Sequence, residues 1–202
     1  MKVTWTVTPT GYQGIAKRCP SCNVKRDFMP SGAFRINSQK KMLDVWSIYK
    51  CTHCEYTWNI ALFSRLPVSR INHELYNRLL TNDADTVQYF AHDKTVLYQN
   101  NAELSGYPTF SVTERWHTTM TIHQQVIVTV KLSRSFQVSL LSILKKQLSL
   151  SSTQIKKLLD SGDICGVTMK LLKSKKLNSG EYTFLVSVET MYARRILNLN
   201  RR

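Results

Sequence analysis

The chain lacks the signatures of the common catalytic folds. It contains no GxxxxGK[ST] loop to cradle phosphates, no HExxH, no GxSxG nucleophile turn and no GxGxxG dinucleotide fingerprint. Its five histidines, His53, His73, His92, His117 and His123, are scattered and form no recognisable ligand or base pattern; His117 and His123 share a region with Glu114. These absences predict a protein that is not an enzyme. No apolar run approaches the ~20 residues needed to span a bilayer. The first residues alternate like a strand and lack the long apolar stretch of a signal peptide. The expected location is therefore cytoplasmic, with no membrane partner. There is no low-complexity segment and no internal repeat beyond one cysteine motif.

Acid is also scarce. Thirteen Asp and Glu stand against 28 Lys and Arg, for a net charge of +15. Such an excess favours a polyanionic partner, nucleic acid first and an anionic membrane surface second. It is unevenly spread: residues 1–130 hold 14 basic and 9 acidic residues, residues 131–202 hold 14 and 4. That asymmetry, with a change of pattern near 131–134, predicts two domains, one over 1–132 and a small basic module over 133–202. At 202 residues and 43% hydrophobic content the chain has enough material for both.

What the sequence does have is four cysteines in two matched pairs, Cys19-Pro20-Ser21-Cys22 and Cys51-Thr52-His53-Cys54. A C-x-x-C turn lets two thiolates from one tight loop reach one ion, and two such turns complete the tetrahedral sulfur cage that Zn2+ accepts. Two redox pairs or unligated buried thiols are the competing readings. A redox pair, however, usually sits at a helix N-terminus, and these pairs sit among strand-like segments. Four protein ligands leave no place for an activated water, so the ion should be structural. His53 is expected to be an exposed turn residue and Cys165 a small core residue. The position after each pair, where such turns need a left-handed backbone, is held by Asn23 and Glu55.

The expected fold class is α+β. Strands are predicted at 2–10, 33–37 and 44–50, with Tyr56, Trp58 and Ile60 alternating after the second cysteine turn. A small antiparallel sheet clamped by two metal-binding turns is a zinc ribbon. A helix should run from an Asn72 cap to Leu80, and a second from Asp83 or Asp85 through Leu97. Tyr107-Pro108 breaks the pattern, and strands follow at 110–112, 120–122 and 126–130. The last block predicts a helix over Ser139–Leu148, a break at Leu150–Thr153, a helix over Thr153–Leu159 stopped by Gly162, and strands over Ile164–Leu172 and Tyr182–Val188 joined by a lysine-rich connection.

The run Leu148–Ile164, followed by Lys176-Leu177-Asn178-Ser179-Gly180-Glu181, resembles the S-four-type RNA-binding module, named after a small-subunit ribosomal protein. Its pattern is an apolar helix, a Leu-Ser turn, a second helix opening near a Gln, a Gly stop and a hairpin. The resemblance implies binding of structured RNA, ribosomal or transfer RNA, through Lys145, Lys146, Gln154, Lys156, Lys157, Lys170, Lys173, Lys175 and Lys176. Ser139 and Ser152 occupy places where the module usually has arginine. A second resemblance rests on Trp5-Thr6-Val7-Thr8-Pro9, the first cysteine turn, the stretch Phe34–Cys51, and Cys54-Glu55-Tyr56-Thr57-Trp58-Asn59. It is to an uncharacterised bacterial group, domain-of-unknown-function family 1062, and implies a bacterial source and a shared zinc-ribbon core. Basic residues near Phe34, Trp46 and Tyr49, with Arg35, Lys40 and Lys41 among them, offer either a second nucleic-acid face or an ordinary ribbon core. A non-catalytic protein-interaction adaptor is the alternative function for the whole chain.

Overall fold

A computed structural model describes residues 1–117, 124–174, 177 and 180–199. Among them the chain is mixed α+β, with two five-stranded sheets and seven α-helices. It divides into two compact units: one of Met1–Thr10 with Phe110–Arg202, the other of Gly11–Thr109.

The Gly11–Thr109 unit is built on strands β2 (Gly14–Arg18), β3 (Lys25–Gln39), β4 (Met42–Cys51), β5 (Thr57–Pro67) and β6 (Glu103–Ser105), ordered β5-β4-β3-β2-β6. Every pairing in this sheet is antiparallel. In β4 the apolar residues alternate, which puts Leu43, Val45 and Tyr49 on one buried face. Helices α1 (His73–Leu80), α2 (Ala84–His92) and α3 (Lys94–Gln99) cover that face with Leu79, Phe90, Val96 and Leu97. Each helix begins at a side-chain cap. Asn72 accepts from the Leu75 N–H, Asp83 from Thr86, and Asp93 from Thr95 and Val96. Asp93 is the reason the expected single helix from Asp83 to Leu97 is two: its extended backbone ends one helix and its carboxylate starts the next.

Strand β5 lies at the edge of this sheet, yet its edge is not bare. The Asn100 side chain imitates a neighbouring peptide: its Oδ1 accepts from the Ala61 N–H at 2.9 Å and its Nδ2 donates to the Ala61 carbonyl at 2.9 Å. Asn100→Ala removes both partners at once. The expected loss is about 2 kcal/mol, read as a lower denaturant midpoint with the slope unchanged.

The other unit uses β1 (Lys2–Pro9), β7 (Phe110–His117), β8 (Gln125–Leu132), β9 (Ile164–Cys165) and β10 (Glu181–Ser187), ordered β7-β1-β8-β10-β9. Here β1 pairs parallel to β8 and antiparallel to β7. Val3, Trp5 and Val7 of β1, Val126, Val128 and Val130 of β8, and Phe184 and Val186 of β10 join one core. Helix α4 (Leu140–Leu148) adds Leu140, Ile143, Leu144 and Leu148, and α5 (Ser152–Asp160) and α6 (Met169–Lys173) add Ile155 and Leu172. Helix α7 (Val188–Leu199) follows β10 directly.

This arrangement differs from the boundary expected at 132/133. Charge and sequence order group strands β1, β7 and β8 with the ribbon, but β8 pairs with β10, and all three strands lie in the sheet of β10 and contribute to its core. Nonlocal strand pairing decides the division, and local composition does not register it. The strand expected over Ile164–Leu172 is also corrected. Only Ile164 and Cys165 pair with β10. Gly166, at φ +83°, turns the chain away, and Thr168 caps α6 by accepting from the Leu171 N–H. The strand expected at 120–122 lies outside the described residues.

Candidate metal centre

Both cysteine turns stand at the ends of strands of the Gly11–Thr109 sheet. Cys19 follows β2 and Cys51 ends β4. The two turns are built alike. The Asn23 N–H donates to the Cys19 carbonyl at 2.9 Å, and the Cys19 N–H to the Val24 carbonyl at 2.9 Å. In the second turn the Glu55 N–H donates to the Cys51 carbonyl at 3.0 Å and the Cys51 N–H to the Tyr56 carbonyl at 2.9 Å. Asn23 and Glu55 are left-handed, at φ +60° and +58°. That conformation turns the chain back after the second cysteine, so that both thiols of each turn face the same point.

The β2–β3 and β3–β4 pairings then bring the two turns together, with Phe28 of β3 opposite both Ile15 and Cys51. The four Sγ atoms lie within 4.8 Å of one another. Cys19 Sγ is 3.5 Å from Cys54 Sγ, and Cys22 Sγ is 4.0 Å from Cys51 Sγ. A tetrahedron with metal–sulfur bonds of the usual zinc length has edges of about 3.8 Å. The cluster therefore fits one four-coordinate ion. All four cysteines are free thiols, and their separations are far beyond an S–S bond. Cys19 and Cys51 are buried, Cys22 is half-buried and Cys54 is exposed.

The electrostatics of so many thiols at one point are uneven. The Tyr56 N–H and then the Ser21 hydroxyl hold the Cys54 thiol down at about 6. Donation to Cys54, with burial, pushes Cys22 up to about 12. One thiolate is stabilised by a backbone N–H and a hydroxyl, while its neighbour favours keeping its proton unless a cation replaces it.

The turn residue His53 is joined near the cysteine turns by two side chains that the sequence reading did not single out. His53 is exposed, but its Nδ1 lies 3.5 Å from Cys22 Sγ. Arg26 also reaches the Cys22 sulfur, and Lys17 places its Nζ 3.3 Å from the centroid of the Trp58 ring. Lys17 and Arg26 stand opposite each other across β2 and β3. The signal was there: both lie a few residues from a cysteine, on the strands that the turn joins. Trp58 packs edge-on against Phe28 at 6.1 Å. Cys165 belongs to the other unit, where its thiol donates to the Gly162 carbonyl.

The lysines singled out in the basic block are placed as follows. Lys145 and Lys146 lie on α4, Lys156 and Lys157 on α5, and Lys170 and Lys173 on α6, all exposed. Helices α5 and α6 both pack against α4. Lys146 donates to the Phe110 carbonyl and lies over the Phe110 ring, so it is held against β7. The Gln154 Oε1 accepts from the Ser151 N–H, closing a capping box at the start of α5. Its carbonyl is thus committed to the helix. Lys175 and Lys176 lie outside the described residues, as does His123. Glu114 accepts from Gln147 and from Trp116, and His117 bonds to Thr4. These contacts give both residues structural partners.

The chain belongs to the family described as Protein of unknown function (DUF1062), whose match runs over residues 36–170, about two thirds of the sequence. The match takes in Cys51 and Cys54 and parts of both units. No curated protein and no solved structure matches the chain. Among the described residues no helix is long and apolar enough to cross a membrane.

Proposed function

We propose that this is a cytoplasmic, non-catalytic protein with a structural zinc ion that binds structured RNA through its basic C-terminal part. The donor set supports zinc: four thiolates are soft ligands in a tetrahedral arrangement, and they fill the coordination sphere. Cys19, Cys22, Cys51 and Cys54 would hold the ion, which when bound would supply folding energy to a zinc-ribbon-like sheet. The observation that carries RNA binding is the charge distribution. The unit of 1–10 and 110–202 holds 16 basic and 5 acidic residues, so it accounts for +11 of the total +15. Lys145, Lys156, Lys157, Lys170 and Lys173 are exposed on α4 and on the two helices packed against it. The helix–break–helix order of α4 and α5 is consistent with the S-four-type module, although α6 stands where a strand of its hairpin was expected. Contacts of this kind read shape and charge more than sequence.

Replacing Lys156, Lys157 and Lys173 together by Glu is expected to abolish retention of co-purifying RNA. On a transfer RNA probe it should lower the salt slope of binding by about 3, since each of these lysines neutralises one phosphate. Unchanged affinity would reject this face. The adaptor reading has its own support in the other unit, where Leu80, Tyr89 and Tyr98 of the α1–α3 segment are 53%, 58% and 84% exposed. Association with a protein partner that survives nuclease treatment would favour it.

A further inference from the structure

The β3–β4 hairpin ends in a two-residue turn at Lys40-Lys41, between the paired residues Gln39 and Met42. Both turn residues are left-handed, at φ +53° and +61°. Two positive φ values identify the type I′ turn, for which Asn-Gly is the favoured pair. Lysine gains nothing from that conformation, and its Cβ strains it. A third basic residue at the same end of the sheet, Arg65 of β5, is also left-handed at φ +49°. Strain held at cations, where Asn or Gly would relieve it, points to a use for the charge.

Two further observations point to a ligand. A groove of about 610 Å³ opens beside the turn, lined by Ser38, Lys40, Lys41, Met42, Pro67, Val68 and Ser69. Its lining combines the apolar Met42, Pro67 and Val68 with the ammonium groups of the two lysines and the hydroxyls of the two serines. The ion pairs among the described residues lie elsewhere: Lys25–Glu103, Lys50–Glu55, Arg78–Asp83 and Lys131–Glu181. Among the described residues, Lys40, Lys41, Arg65 and Arg70 thus have no carboxylate partner. The nearby Asp44 accepts from the Arg65 N–H. Stacking on the hairpin's aromatics does not explain the site, because Tyr49 is buried and Phe34 packs edge-on against Phe90.

We propose that this hairpin tip binds single-stranded RNA, with Lys40 and Lys41 on phosphates and the apolar Met42, Pro67 and Val68 against a sugar or base. The site is separate from the lysines of α4–α6 and does not depend on them. An acidic protein segment would satisfy the cations but leave the apolar lining unused, so the nucleotide fits better.

The test is fluorescence anisotropy of labelled oligouridylate with the full zinc-loaded chain, alongside thermal melting. K40N/K41G is expected to raise the melting midpoint by about 5 °C while weakening binding on the order of tenfold. The salt slope should fall by about 1.4, the value for two single-strand phosphate contacts. K40R/K41R should retain binding. K156E/K157E/K173E should leave oligouridylate binding unchanged while losing transfer RNA, which separates failure of this site from failure of the C-terminal one. Undiminished oligouridylate binding by K40N/K41G overturns the proposal. So does wild-type chain that does not bind oligouridylate, or oligouridylate displaced by polyglutamate as readily as by unlabelled RNA.

Discussion

A Cys51→Ser chain is expected to emerge from purification without metal and with the Gly11–Thr109 sheet disordered around its cysteine turns. Cys51 is buried, ends β4, and supplies both a sulfur and the carbonyl that receives the Glu55 N–H. Serine keeps the backbone bond but offers a poor ligand to a soft-donor site. A structural zinc contributes about 10 kcal/mol or more to the folding of its surroundings, which is comparable to the whole stability of a typical domain. Binding the ion must also displace the proton that donation to Cys54, with burial, favours on Cys22. Elemental analysis for zinc and amide hydrogen exchange in β2, β3 and β4 check the prediction. Wild-type chain that folds normally with no bound metal would reject it.

Trp5→Ala should do the reverse, collapsing the other unit while leaving metal content intact. Trp5 is fully buried in β1, between β7 and β8, and meets the Phe184 ring edge-on at 6.1 Å. Truncating a buried tryptophan costs about 3–5 kcal/mol, part lost transfer energy and part cavity. Its indole N–H is buried without a partner, so Trp5→Phe should cost less: it removes a polar group that gains nothing from burial. The readout is hydrogen exchange in β1, β8 and β10 together with a one-to-one metal ratio. Loss of metal along with the fold would show that the two units do not hold their structures separately.

Local chemistry was legible in the sequence. The cysteine spacing marked the four sulfurs that meet, because each C-x-x-C turn is a self-contained backbone motif. Asn72 marked a helix start and Asp83 was one of two candidates for the next, because a cap acts on the N–H groups two or three residues ahead; Ser139 and Ser151, which cap α4 and α5, were read as a helix residue and as part of a break. Alternation in 2–10 and 126–130 marked strands but not their partners. That β1 would lie beside β8 depends on residues more than a hundred positions away, and the uneven charge balance drew the line in the wrong place. Strand β2 was missed because Gly14–Arg18 is short and ends in charge. Helix α6 was missed because Val167 and Thr168 suit a strand until Gly166 and the Thr168 cap are seen together. Around the cysteine cluster, Arg26 was overlooked and the approach of His53 to Cys22 was not foreseen for a related reason: nothing in a linear reading says which side chains near one turn will reach a particular sulfur.

The chain order of the two units bears on how the polypeptide assembles as it is made. Strand β1 comes before Gly11–Thr109, while β7, β8 and β10, with which it shares a sheet, come after. Emerging from the ribosome, the apolar row of Val3, Trp5 and Val7 has no neighbours to pair with until about a hundred further residues have been translated. The intervening segment is complete by then and can already have captured its ion. A nascent chain of this design passes through a stage with one finished lobe and one dangling strand, and that stage is where chaperones and proteases find their opening.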